Sequence, residues 1–201
     1  WIFEHDNPLT LGALPLGQQL QAALFQSVTT RTAGFATVPQ ENLRNPTALL
    51  SLLLMFIGGS PVGTAGGVKT VTVVVLATSA LAAIRNKRDT VLFHRTVPRQ
   101  AVAKAVTVTG MSFAICFLST LLLSAAADAN ALDILYEAVS ATATVGLTRG
   151  LTPTLSAWGK LIIIVTMYLG RVGPISLAIV FGTRRQSENL IKEPTEEISV
   201  G

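Results

Sequence analysis

Residues 45–84 form about 40 positions of nearly unbroken apolar sequence, twice the roughly 20 that a straight helix needs to cross a bilayer. One plain helix cannot absorb that length. The interruption is visible at its middle, Gly58-Gly59-Ser60-Pro61-Val62-Gly63-Thr64-Ala65-Gly66-Gly67, followed by Lys69. Non-helical backbone at membrane depth survives only where protein covers it or it faces water, because lipid offers nothing to its amides and carbonyls. The run therefore predicts a membrane helix broken at its glycines.

Composition agrees with a membrane class: of 201 residues, 50% are hydrophobic and 13% charged, with a mean hydropathy of +0.55, unlike a soluble domain. Two further apolar runs, residues 101–127 and 156–183, are each long enough to span with some tilt. Between them lies a shorter piece, residues 132–147, which carries Glu137 and several Ser and Thr. A pore helix followed by a re-entrant turn fits it better than a loop.

The net charge of +4 does not point to nucleic acid, since the bases cluster beside apolar segments instead of alternating with aromatics over a face. Arg85, Lys87, Arg88, Arg95, Arg99 and Lys104 stand against one acid, Asp89, and Arg184-Arg185 opens the last segment. By the positive-inside rule both stretches face the cytoplasm, which places residues 1–15, 40–45, 128–132 and 148–155 outside. Glu4, Asp6, Glu41 and Asp128 there are expected to concentrate cations mildly near the outer face. This topology puts His5 and His94 in opposite compartments, excluding a shared metal site. Cys116, the one cysteine, lies in an apolar run and reads as a packing residue. With no initiator Met, and a first stretch broken by Pro8 and Pro15, the chain is expected to begin within a longer protein.

The chain also repeats itself. Thr32-Ala33-Gly34-Phe35 matches Thr144-Val145-Gly146-Leu147, and Met55-Phe56-Ile57-Gly58 matches Met167-Tyr168-Leu169-Gly170 at the same spacing. Upstream, Leu24-Phe25-Gln26-Ser27-Val28-Thr29 pairs with Leu135-Tyr136-Glu137-Ala138-Val139-Ser140 at a spacing one residue shorter, as expected if the turn tolerates one insertion. Two copies of one unit are present. Each reads as a short helix, a turn with Gly at its third position, an outer loop and a long membrane helix.

The turn has a specific chemistry. A dehydrated potassium ion needs oxygens in place of its hydration shell, and backbone carbonyls supply them in the Thr-Val-Gly-Tyr-Gly loop of potassium channels, whose first three residues Thr144-Val145-Gly146 reproduce. Carbonyls that all point one way require an unusual backbone, which glycine adopts at little steric cost. Short helices at about residues 17–29 and 133–141 would aim their carbonyl ends at such a site and favour cations.

These residues, together with Gly170-Arg171-Val172-Gly173-Pro174 and the glycine-rich stretch through Thr70, resemble the KtrB/TrkH/HKT superfamily of potassium transporters, most closely the C-terminal half of its KtrB branch. The resemblance implies an all-α membrane protein with two helix–pore loop–helix units, one incomplete, of a four-unit potassium-channel-like pore. Residues 1–84 would hold the pore loop and broken second helix of the third unit, 85–104 a cytoplasmic basic loop, 105–182 the fourth unit, and 183–201 a cytoplasmic tail. It implies potassium passage over filter carbonyls of Thr32, Ala33, Gly34, Phe35, Thr144, Val145, Gly146 and Leu147, half of a ring completed by the missing N-terminal half. It implies a gate made of Gly58, Gly59, Ser60, Gly63, Thr64, Gly66, Gly67 and Lys69, contacted by Arg171, which lies about 20 Å from either end of its expected helix at about 1.5 Å per residue and needs a partner there. A passive kink at Pro61 and a purely structural arginine are the plainer alternatives. Lys69 either holds the loop or marks a polar cavity, and Arg149 either touches the outer mouth or is an ordinary exposed arginine. The same resemblance implies K+ as the ion, Na+ as an activating or coupled ion, surrounding membrane lipid, a homodimer, and a KtrA-like cytosolic ring that binds the nucleotide, none being bound by this chain.

Other classes fit less well. The glycine-rich stretch ending in Lys69-Thr70 looks like a phosphate-binding loop, but Val68 separates the last Gly from the Lys and no strand precedes it. No Ser/His/Asp, Cys/His or paired-carboxylate arrangement is credible at membrane depth, so enzymatic chemistry is rejected. A TrkH-type transporter subunit and a non-conducting structural subunit remain the alternatives, and the latter does not explain two repeated turns.

Overall fold

The computed structural model describes residues 1–60, 65–87 and 89–172. Its elements are α1 (Leu16–Thr29), a 3₁₀ turn at Gln40–Asn42, α2 (Asn45–Phe56), α3 (Thr70–Ile84), β1 (Val91–Leu92), β2 (Arg95–Thr96), α4 (Arg99–Ala126), α5 (Ala131–Thr142), α6 (Leu151–Thr154) and α7 (Ala157–Val172). The long apolar run is split as its glycines predict. Its two halves, α2 and α3, have 12 and 15 residues, so each is shorter than the roughly 30 Å hydrocarbon layer at about 1.5 Å per residue. The chain leaves α2 and returns to α3 through a parallel bridge between Ile57 and Val68. Gly58 N–H donates to the Val68 carbonyl at 2.9 Å and Val68 N–H to that of Phe56 at 3.0 Å.

The run at 101–127 becomes α4, whose 28 residues make it the one helix among the described residues long and apolar enough to cross a membrane, by length and composition. The run at 156–183 begins as α7; residues 173–201, with the expected tail, lie outside the described residues. The expected loop at 85–104 is shorter than read from its charges, because α4 starts at Arg99 and carries Lys104 on its second turn. It is also not purely irregular. Strands β1 and β2 pair antiparallel, Val91 with Thr96 and Leu92 with Arg95, around Phe93 and His94 at φ 47° and 61°, the doubly positive φ of a tight type I′ hairpin. Among the described residues the expected all-α fold is thus helical with one two-stranded exception.

Helix α5 is the beam on which the rest is stacked. It is buried on both sides, with Glu137, Ser140 and Thr142 buried beside its apolar residues. Tyr136 and Val139 pack with Ala48, Leu52 and Met55 of α2 and Cys116 of α4; Ile134, Ala138 and Ala141 pack with Leu123 of α4 and Ile163 of α7. Cys116 is the packing residue expected. Between α4 and α7 the Ser119 and Thr166 hydroxyls meet at 2.7 Å, the polar bond that joins helices where apolar burial has no driving force.

The N-terminal segment is fastened by Glu4, which corrects its expected role as an exposed cation attractor. Glu4 is buried, and its carboxylate accepts from Asn7 Nδ2 at 2.6 Å, Thr10 Oγ1 at 2.7 Å, the Arg44 amide at 2.8 Å and Thr47 Oγ1 at 2.6 Å. Burial alone pushes the carboxyl up, but the bonds from Thr10, Thr47, Asn7 and Arg44 outweigh it and hold it below the usual carboxylate range. The acid thereby also complements the N-terminus of α2. Asp6 likewise pairs with Arg44 at 2.9 Å.

Helix α7 crosses the end of α5 at Gly170, where an added Cβ would lie 2.2 Å from the Thr142 carbonyl oxygen. Gly170→Ala should force the two helices apart and lower stability by about 1–3 kcal/mol, read as a fall in the thermal unfolding midpoint of the detergent-solubilised protein.

Candidate functional site

Both copies of the repeated turn adopt the same unusual backbone. Thr32 and Gly34 have φ of 73° and 79°, and Thr144 and Gly146, 112 positions on, have φ of 56° and 92°. Left-handed φ is costly for a β-branched residue, yet threonine bears it in each copy. Each turn is held by the helix before it. Ala33 N–H donates to the Thr29 carbonyl at 3.0 Å, and Val145 N–H to that of Ser140 at 2.9 Å. The two hydroxyls of that position also reach the turn, Thr29 donating to the Phe35 carbonyl at 2.6 Å and Ser140 accepting from Gly146 N–H at 3.2 Å. The extra residue of the second copy is taken up between Ser140 and Thr144, where α5 runs on to Thr142 while α1 stops at Thr29. The helix end, not the turn, absorbs the insertion.

The turns touch. A Cβ on Gly34 would stand 2.1 Å from the Val145 carbonyl oxygen. They are not equally enclosed, since Val145 and Leu147 are 5% and 2% exposed whereas Phe35 is 71% exposed.

The stem of the glycine-rich segment packs against them. A Cβ on Gly66 would lie 2.2 Å from Thr144 Oγ1 and 2.5 Å from the Ala143 carbonyl oxygen, and Gly58 is equally crowded by Gly66. Lys69 Nζ donates to the Ala65 carbonyl, so it ties the segment to itself. Gly59 and Gly67 belong to the same stem, Ser60 is exposed at its edge, and Gly63 and Thr64 lie outside the described residues. A residue given no role from its sequence position completes the stem. Arg31, one position before the first turn, donates from Nη1 to the Ile57 carbonyl at 2.6 Å, serving a carbonyl that the end of α2 leaves without a helical partner.

A cleft of about 560 Å³ opens beside the second turn, lined by Thr144, Val145, Gly146, Leu147, Ser140, Glu137 and Arg171, among others. Arg171 therefore shares a cavity with one turn. Glu137 is buried and accepts from Thr148 Oγ1 at 2.8 Å and from Thr152 Oγ1. Arg149 is not an ordinary exposed arginine: its side chain is 9% accessible, with Nε 3.1 Å from Asp133 Oδ1 and Nη2 donating to the Leu43 carbonyl at 3.3 Å. It joins the two copies. The signal that could have found Arg31, Glu137 and Arg149 is the cost of placing a charge in so apolar a chain. Replacing Arg31 by Ala leaves a part-buried carbonyl without its charged donor and should cost about 1.5–3 kcal/mol, seen as faster hydrogen exchange at the Gly58 and Val68 amides.

Residues 3–193 match the TrkH family, described as a cation transport protein. The whole chain is similar to 45% of the length of Ktr system potassium uptake protein B of Bacillus subtilis, at 42% identity over 201 residues. It is similar at 39% identity to 44% of the protein of that name from Vibrio alginolyticus, and at 35% identity to 46% of the potassium/sodium uptake protein NtpJ of Enterococcus hirae. The chain thus spans about half the length of the curated relatives it matches. With the family match covering nearly its full length, this chain belongs to the TrkH family of cation transport proteins.

Proposed function

We propose that the chain is part of a potassium-translocating membrane subunit in which residues 32–35 and 144–147 contribute half of a carbonyl-lined filter. The observation that carries this reading is the paired backbone: the same Thr and Gly positions are left-handed in both copies. Alternating the hand of φ along an extended segment turns successive carbonyls toward one side, which is what a dehydrated cation requires. Relatives named for potassium uptake support K+ as the ion, and the one named for potassium and sodium uptake supports a role for Na+. Glycine in both copies, not serine, favours potassium.

The same reading makes residues 58–69 the gate, with Arg171 on the facing helix. Its support is the stem, which Arg31 and the Ile57–Val68 bridge pin beside the turns. The remaining half of the pore comes from a further stretch of the same polypeptide, and α1 supports this, since Leu16, Leu20, Leu24 and Val28 are exposed along it. The protein lies in the cell membrane as a multi-pass homodimer, with the segment before α4 and the C-terminus cytoplasmic, facing a nucleotide-binding ring.

Potassium uptake with sodium as competitor, in cells lacking other potassium importers, tests the reading on the protein expressed from its complete gene. Gly34→Ser and Gly146→Ser should both reduce preference for potassium. Gly34→Ser should do so more, because it adds a clash with Val145 to the strain at φ 79°, whereas Gly146 has open space around it. Unchanged preference in both variants would remove the filter assignment. Deleting three residues within 60–65 should raise flux, and a rate equal to the parent's would make the segment a passive kink.

A further inference from the structure

The two copies are most alike in geometry where they differ most in charge. In each, a buried polar side chain of the short helix reaches across to the segment that follows the turn. In the first copy Gln26 Nε2 donates to Gln40 Oε1 at 2.7 Å and Gln40 Nε2 donates back to Gln26 Oε1 at 3.1 Å. In the second, Glu137 accepts from Thr152 and, at 2.8 Å, from Thr148. Both ends of the brace are repeat-related, Gln26 with Glu137 at a spacing of 111 and Gln40 with Thr152 at 112.

A brace does not need a charge. The glutamine pair does the same job with two amides, and a carboxylate is the more expensive group to bury. Glu137 is 5% exposed, and its side chain accepts from two threonine hydroxyls. It lines the same cleft as Thr144, Val145 and Gly146, where a charge in low-dielectric surroundings acts over several ångströms.

We infer that Glu137 sets cation affinity: its carboxylate, lining the cleft beside residues 144–147, strengthens the binding of monovalent cations alike, while Gln26, at the repeat-related position, supplies only the brace. This rests on the filter reading above. A point charge at a distance raises the affinity for K+ and Na+ together, whereas the carbonyl geometry of the turn chooses between them. Arg171 lines the same cleft.

Glu137→Gln removes the charge and keeps an acceptor for one threonine and a polar partner for the other. In the full-length protein, the half-saturation constant for K+ and the inhibition constant for Na+ should both rise roughly fivefold or more. Their ratio should be preserved, and the maximal rate should change less. Unchanged constants overturn the inference, and so does a changed ratio, which would make Glu137 a support of turn geometry. If Glu137→Gln does not reach the membrane, Gln26→Glu decides. It places a second carboxylate where Gln40 Nε2 already donates, while Gln40 Oε1, losing its donor, must turn away, and should lower both constants; no change overturns the inference. A shifted ratio in Gly146→Ser beside unchanged constants in Glu137→Gln leaves the filter reading standing and removes only the part given to Glu137. Absence of potassium uptake by the parent protein overturns both.

Discussion

A carbonyl in the last turn of each short helix, taken up by an amide of the turn that follows, makes the bond around which this molecule is arranged. Thr29 and Ser140 each accept from the middle residue of their turn. Without that partner the reversing backbone would carry an unmet donor. The bond fixes where the helix stops, and the stop fixes where left-handed φ must begin. Threonine then bears a strained conformation in both copies, which a surrounding structure must over-determine for it to persist.

That surrounding structure is unequal. The second copy is enclosed by α2, α4 and α7, so α5 is buried along both sides and Val145 and Leu147 of its turn are covered. The first copy lies at the periphery, with α1 exposing an apolar face and Phe35 exposed at its turn. The contact between them is backbone on backbone, Gly34 against Val145, and backbone contacts tolerate no adjustment by side-chain rotation. Arg149, paired with Asp133 and bonded to the Leu43 carbonyl, ties the copies together a second time.

The glycine-rich segment owes its position to the same close approaches. Its ends are bridged to one another at Ile57 and Val68, held by Arg31 and set against Thr144. A break in a membrane helix exposes carbonyls that need donors, and the donors here come from the turn and from the segment's own other end. The first turn, through Arg31, and the stem are therefore parts of one hydrogen-bonded unit.

Much of this was legible in the residues. The length of the run at 45–84 required a break, its glycines located it, and the repeat predicted two short helices ending at about Thr29 and Ala141 together with two matching turns. Those features follow from local rules of hydrophobic length, backbone freedom and internal similarity. Charges were less legible. Glu4 looked like a solvent-facing acid and became a buried fastener, Arg149 looked peripheral and became an internal tie, and the basic stretch before α4 gave its last residues to that helix. The partners of a charge lie far along the chain, as with Glu4 and Thr47 or Arg149 and Leu43, and no local pattern announces them. The sequence by itself determined the membrane class, the broken helix and the repeated turn, because each depends on neighbours along the chain. Only the tertiary structure decided which turn is enclosed, which arginine holds the stem and which acid stands beside the second turn, because burial and partnership depend on what the fold brings near.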